Sequence, residues 1–120
     1  MPRALVVDDD EAIRSLLATI IRHHGLEVEA VADGDAAIES IDKDGFDVVL
    51  LDLMMPRVDG YAVLRHMRES RPDLLQHTII ATAIPERDLR TVPQRVFSIH
   101  TKPFELDRLM ADVETVAWEG

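Results

Sequence analysis

The hydrophobic positions of this chain change period along its length. Leu5-Val6-Val7 and Val48-Val49-Leu50-Leu51 are unbroken apolar runs, each stopped by an acid. Short β-branched and aliphatic runs of this kind suit strands covered on both faces. Thr78-Ile79-Ile80-Ala81 reads the same way, and Val96 to Ile99 reads as a fifth strand. Leu26 to Ala30 alternates instead, which fits a sheet edge, with Glu27 and Glu29 discouraging pairing with another chain. Between the strands the period becomes helical. Ile13, Leu16, Leu17, Ile20 and Ile21 make one apolar stripe, capped at its start by Asp9 or Asp10 and closed by Gly25. Ala37, Ile38 and Ile41 predict a short second helix ending near Gly45, and Asp59 is placed to cap a third that runs through Met67. Pro72-Asp73 reads as a loop, and Leu106, Leu109, Met110, Val113, Val116 and Ala117 share the stripe of a last helix. By this rhythm Pro85 to Arg95 should also hold a helix. Pro93 disfavours helical geometry at Val92 and has no N–H to donate, so at most about two turns are expected there, short or irregular. Five strands alternating with five helical segments predict an α/β fold, a parallel sheet with helices on both faces.

Composition adds limits. The 120 residues predict a single domain over 1–120, with 47% apolar residues to fill one core. Cysteine is absent, which fits a reducing cytoplasm. The first apolar run is too short for a signal-peptide core, and no apolar stretch approaches the ~20 residues of a membrane span. The expected location is therefore cytoplasmic, with no membrane contact. A formal charge of −10 argues against direct nucleic-acid binding by this domain, since such binding rests on Lys and Arg neutralising phosphates. That charge is uneven. Residues 1–60 carry 14 acids and 5 bases, whereas residues 61–120 carry 9 acids and 8 bases. No acidic tail accounts for the excess, which points to a site.

Ligands of an open parallel sheet bind beyond the carboxyl ends of its strands, where the strand order reverses. Past the first predicted strand come Asp8, Asp9 and Asp10, past the third Asp52, past the fourth Thr82, and near the end of the fifth Lys102-Pro103. Taken singly, each has an ordinary reading. An Asp run is a solvated helix start, Thr82 a strand-end hydroxyl, Lys102-Pro103 a surface turn and Asp59-Gly60 a turn and cap. The five histidines show no ligand spacing, and His23-His24 suit the negative end of a helix. Jointly the strand-end residues are restrictive. Two carboxylates ~4 Å apart repel by about 4 kcal/mol at an effective dielectric of ~20, so such a pair shifts a pKa or recruits a cation. An all-oxygen donor set with room for water favours Mg²⁺, which then coordinates phosphate oxygens. A nearby Lys and Thr supply a charge and a donor to a phosphoryl group, and a carboxylate left over can attack phosphorus.

These residues resemble the receiver domain of bacterial two-component response regulators, of the chemotaxis type. The resemblance spans nearly the whole chain. It rests on Leu5-Val6-Val7-Asp8-Asp9, on Asp52 followed by Met55-Pro56 and Asp59-Gly60, on Thr82-Ala83, and on Lys102-Pro103-Phe104. It implies a flavodoxin-like (βα)5 fold with strand order 2-1-3-4-5, and Mg²⁺-dependent phosphoryl transfer from a sensor histidine kinase or histidine phosphotransfer protein. Mn²⁺ would be an alternative ion. By resemblance Asp52 is the phosphoacceptor. Asp8, Asp9, Asp52 and the Met54 backbone carbonyl hold the metal, and Thr82, Ala83 and Lys102 bind the phosphoryl group and switch. Asp10 falls outside the pattern and is expected to face solvent as a helix cap. The resemblance further implies a homodimer on phosphorylation and a downstream output domain or protein, and no activity beyond the domain's own phosphorylation and dephosphorylation.

The chain departs from the family pattern at Ile99, where an aromatic switch residue is usual, and between Thr82 and Lys102, where Pro85 and Pro93 stand and a Gly-Ala pair is missing. Met54 and Ile84, which flank the phosphoryl group by resemblance, are both apolar and cannot orient an attacking water. Two other readings remain: a receiver-like binding module that is not phosphorylated, and a haloacid-dehalogenase-like phosphatase built on Asp8-x-Asp10. The second needs a cap and a late acidic pair for which the chain has no room.

Overall fold

The unbroken apolar runs become the inner strands of a five-stranded parallel sheet. The computed structural model describes residues 1–89 and 95–119. Its strands are β1 (Arg3–Val7), β2 (Glu27–Val31), β3 (Val48–Leu51), β4 (Thr78–Thr82) and β5 (Ser98–Thr101), in the order β2-β1-β3-β4-β5. Each neighbouring pair is parallel. The helices are α1 (Glu11–His23), α2 (Gly34–Lys43), α3 (Gly60–Ser70) and α4 (Leu106–Glu114). The expected order 2-1-3-4-5 is the observed one, and the alternating strand β2 does lie at an edge.

Strand pleat divides the core in two. Leu5, Val7, Val49, Leu51 and Ile80 point to one face, where Ala37 and Ile41 of α2 and Val63, Leu64 and Met67 of α3 cover them. Ala4, Val6, Val48, Leu50 and Ile79 point to the other, under Leu17 and Ile21 of α1 and Leu109, Met110 and Val113 of α4. A strand buried on both faces has no polar side to show, and this is why the runs are unbroken. Asp10, Asp33 and Asp59 cap α1, α2 and α3, accepting from the N–H groups of Ile13, Ala36 and Ala62 at 3.1, 2.8 and 3.0 Å. Asp10 is exposed, as expected of a cap.

Four sequence readings are corrected. Leu16 is 49% exposed, because the buried arc of α1 centres on Leu17 and Ile21 and leaves Leu16 at its margin. Pro72–His77 forms a 3-10 helix rather than a loop, its Leu74 and Leu75 buried. The fifth strand runs Ser98–Thr101, two residues later than its apolar content suggests. Its register is set by β4, with Ile79 opposite Ser98 and Thr82 opposite Thr101. His24 also does more than end α1, since its Nδ1 meets the Glu114 carboxylate of α4. Between Pro85 and Arg95 the described residues hold a single 3-10 turn, Glu86–Asp88, and residues 90–94 of the expected short helix lie outside those described. Among the described residues no helix is long and apolar enough to cross a membrane.

Two glycines bring the loop after β3 against its neighbours. A Cβ on Gly60 would lie 2.3 Å from the Asp52 carbonyl oxygen and 2.6 Å from Leu53 Cα, and one on Gly34 would lie 2.2 Å from the Val58 carbonyl oxygen. Only a residue without a Cβ lets the starts of α2 and α3 approach this backbone so closely. The Gly60 N–H donates to the Leu53 carbonyl at 3.1 Å across the gap. Gly60→Ala is therefore expected to destabilise the domain by about 2 kcal/mol, reversing the usual gain of a helical Gly→Ala change. Gly45→Ala meets nothing within 4 Å and should be near neutral. Urea unfolding of both variants checks this, the first lowering the midpoint and the second leaving it in place.

Candidate functional site

Parallel strands end together, so the residues following β1, β3, β4 and β5 share one end of the sheet. The backbone registers this directly. Asp8 N–H donates to Val31 O at 3.2 Å, Asp52 N–H to Val7 O at 2.9 Å, and Lys102 N–H to Thr82 O at 2.8 Å. Each chemically interesting residue is thus pinned by the strand beside it.

Lys102 closes the cluster. Its Nζ lies 2.9 Å from Asp8 Oδ2 and 3.3 Å from Asp52 Oδ2. Both acids are buried, at 2% and 3% exposure, whereas Asp9 is exposed. Each buried carboxylate divides its oxygens in the same way, one to Lys102 and one to its own loop. Asp8 Oδ1 accepts from the Asp10 N–H at 2.9 Å and Asp52 Oδ1 from the Met54 N–H at 3.1 Å. Burial is the main influence on Asp8 and pushes its carboxyl above the ordinary 3.8, with the Asp52 charge adding to it. The Lys102 and Asp10 hydrogen bonds pull the other way without cancelling it. Burial by itself would lower the Lys102 pKa, yet its contacts with Asp8 and Asp52 prevail and hold it above 10.5.

Carboxylate oxygens of Asp8, Asp9 and Asp52, one from each, all lie within 4.8 Å of one another. Three hard oxygen donors at this spacing, two of them buried, fit a small divalent cation that keeps part of its water shell. Thr82 is fully buried at the end of β4, and its Oγ1 accepts from the Ile84 N–H at 3.4 Å. Ala83 is exposed. Ile99 packs partly buried against the α2–α3 side of the core, paired with Ile80 in the sheet. Met54, 56% exposed, and Ile84 line one cavity together with Asp9. The Lys102–Pro103 bond is cis, and the Phe104 ring centroid lies 5.9 Å from Lys102 Nζ.

Two residues escaped the sequence reading. Arg14, one turn into α1, donates from Nη1 to the Asp8 carbonyl at 2.9 Å and so ties down the loop carrying the acid pair. Its signal was only a basic residue on a polar helix face. Gly60 was read as a turn, and nothing in a single glycine announces the close approach to Asp52 described above.

A family model for the response regulator receiver domain matches residues 4–114. Transcriptional regulatory protein TrcR of Mycobacterium tuberculosis is 40% identical over 116 residues, covering 91% of this chain and 42% of TrcR. Response regulator MprA of Mycolicibacterium vanbaalenii is likewise 40% identical, over 91% of this chain and 47% of its own. The chain thus spans about half the length of the curated relatives it matches. Among solved structures, response regulator TrrA of Thermotoga maritima in complex with Mg²⁺-BeF superposes with TM-score 0.85 at 30% identity, covering 97% of this chain and 99% of that one. TrrA in complex with histidine kinase ThkA superposes with TM-score 0.85 at 28% identity, covering 97% and 98% of the two chains. On the match over nearly its whole length, joined to a strand order and an acid cluster of the same kind, this chain belongs to the response regulator receiver domain family.

Proposed function

We propose that this receiver domain accepts a phosphoryl group on Asp52 from a histidine kinase or phosphotransfer protein, with Asp8, Asp9 and the Met54 carbonyl joining Asp52 to hold Mg²⁺. The observation that carries this reading is the Lys102 ammonium seated between the Asp8 and Asp52 carboxylates with Asp9 beside them. Three carboxylates against one ammonium leave two negative charges, the charge a divalent cation balances. Mn²⁺, another oxygen-preferring ion, would serve the same donors. The TrrA complexes with Mg²⁺-BeF and with a kinase support the choice of ion and partner by similarity.

In the proposed reaction a carboxylate oxygen of Asp52 forms the new O–P bond as the N–P bond of the phosphohistidine breaks and the imidazole leaves. Bound Mg²⁺ would supply charge neutralisation at the phosphoryl oxygens. Lys102 exchanges its contact with Asp52 Oδ2 for a phosphoryl oxygen, at little cost because its contact with Asp8 stays in place. Thr82 Oγ1 donates to another oxygen once it turns from the Ile84 N–H. Arg14 and the loop N–H groups of Asp10 and Met54 keep the acids aimed. Ile99 carries no hydroxyl, so Thr82 motion is read out through packing rather than an aromatic rotor. We place the protein in the cytoplasm beside its kinase and its turnover at its own phosphoryl group only. Dimerisation on phosphorylation and an output module elsewhere complete the reading.

Three outcomes test it. Treated with Mg²⁺ and a small acyl phosphate, the protein should gain one phosphoryl mass, and Asp52→Asn should abolish the gain. Loss only in Asp8→Asn with turnover would favour the phosphatase, and no adduct at all the silent module. The second outcome concerns Asp8. A carboxyl raised on folding supports the fold when protonated and opposes it when ionised, so its contribution falls as pH rises through the folded value. Metal-free Asp8→Asn should therefore melt above wild type at pH 7, with the gap narrowing as the pH is lowered toward 4. Mg²⁺ at a hundred times its Kd should raise wild type by about 2.7 kcal/mol and leave the variant unmoved. Raised Lys102 contributes below strongly alkaline pH and does not alter this window. Third, the apolar Met54 and Ile84 predict slow loss of the phosphoryl group. Met54→Asn, which can orient water, should shorten the half-life several-fold, and a short half-life unchanged by the substitution would refute the assignment.

A further inference from the structure

The cavity beside Asp9 extends beyond anything the proposed transfer uses. It has a volume of about 570 Å³, within the ~300–1,000 Å³ of typical ligand clefts. Its walls include the Asp9 and Asp88 carboxylates and the apolar side chains of Met54, Pro56 and Ile84, with no Lys or Arg among the described residues lining it. Met54, at 56% exposure, is one of five exposed large hydrophobic side chains among the described residues. Asp88 meets the Arg87 guanidinium at 3.9 Å, both groups well exposed, and such a surface pair holds its partners weakly. An apolar floor with carboxylates around it suits a Lys or Arg side chain, whose alkyl stem lies on apolar surface while its head reaches an acid. Among the described residues lining the groove, an anionic ligand would meet no cation.

We propose that this groove docks a basic, apolar segment of a partner protein, and that docking and Mg²⁺ binding oppose one another through Asp9. The docking rests on the groove itself, and the opposition rests on the metal reading given above. Asp9 belongs both to the groove wall and to the metal-binding acids. A cationic head against it lowers the negative potential the metal needs, and linkage makes the effect reciprocal, the same factor in each direction. The groove would then favour its partner in the metal-free state and release it when the site is loaded.

The probe is the peptide acetyl-Leu-Arg-Leu-Arg-amide, compared with acetyl-Leu-Glu-Leu-Glu-amide, titrated into the whole chain and followed by amide chemical shifts. The basic peptide should shift Met54, Ile84 and Asp88 saturably and the acidic one should not. Asp88→Asn, outside the metal-binding acids, should weaken the peptide about threefold to fivefold and leave Mg²⁺ affinity unchanged. Saturating peptide should weaken Mg²⁺ about threefold, and saturating Mg²⁺ should weaken the peptide by the same factor. Equal binding of the two peptides, or indifference to Asp88→Asn, overturns the docking. Peptide binding without effect on Mg²⁺ affinity overturns the opposition. If Mg²⁺ fails to bind even without peptide, the metal reading falls and the opposition with it, while the docking is still decided by Asp88→Asn.

Discussion

One ammonium group between two buried carboxylates organises this molecule. Lys102 reaches from the end of β5 to Asp8 after β1 and Asp52 after β3, side chains 94 and 50 residues distant in the chain. Taking two carboxylates out of water is unfavourable unless a cation and further hydrogen bonds meet them. Lys102 meets one oxygen of each, and the loop N–H groups of Asp10 and Met54 meet the other. No buried side-chain polar atom among the described residues is left without a partner. The arrangement is satisfied but not neutral. With Asp9 nearby it keeps an excess of negative charge, which suits a divalent cation.

The surrounding fold holds this unfavourable cluster in place. β3 is buried on both faces, and its end is hemmed in by the start of α3, whose Gly60 sits against the Asp52 and Leu53 backbone. On the other flank Gly34 brings α2 against Val58. The Asp52 backbone therefore has little room to relax away from its like-charged neighbours. The Asp8 carboxyl is raised mainly by its burial, with the Asp52 charge adding to it. The terminal helix is secured independently. His100 Nε2 and Ser98 Oγ of β5 both meet Asp112 Oδ2, at 2.6 and 2.7 Å, and His24 of α1 meets Glu114.

Much of this could be read from residue order. The unbroken runs at Leu5 and Val48 announced strands covered on both faces, and strands of that kind imply a parallel sheet. A parallel sheet in turn gathers whatever follows its strands, so Asp8, Asp9, Asp52, Thr82 and Lys102 became neighbours by topology before any distance was known. Asp10 and Asp59 were legible as caps because a helix start needs an acceptor for its unpaired N–H groups. Two of the failures share one cause. Leu16 left the core and β5 began two residues late because a helix arc and a strand register are chosen by the partner surface rather than by the segment's own composition.

By itself, then, the chain's pattern of apolar runs and strand-end acids determined a parallel sheet and which acids follow its strands, since period and position are local properties, while the strand order was implied by the resemblance to receiver domains. Only the tertiary structure decided the rest. It set which oxygen of each acid meets Lys102 and brought Arg14 onto the Asp8 carbonyl. It pressed Gly60 against Asp52, and it opened beside Asp9 a cavity walled by Met54, Ile84 and Asp88. Those outcomes depend on how separate elements pack, and contact across space leaves no periodic trace in the sequence.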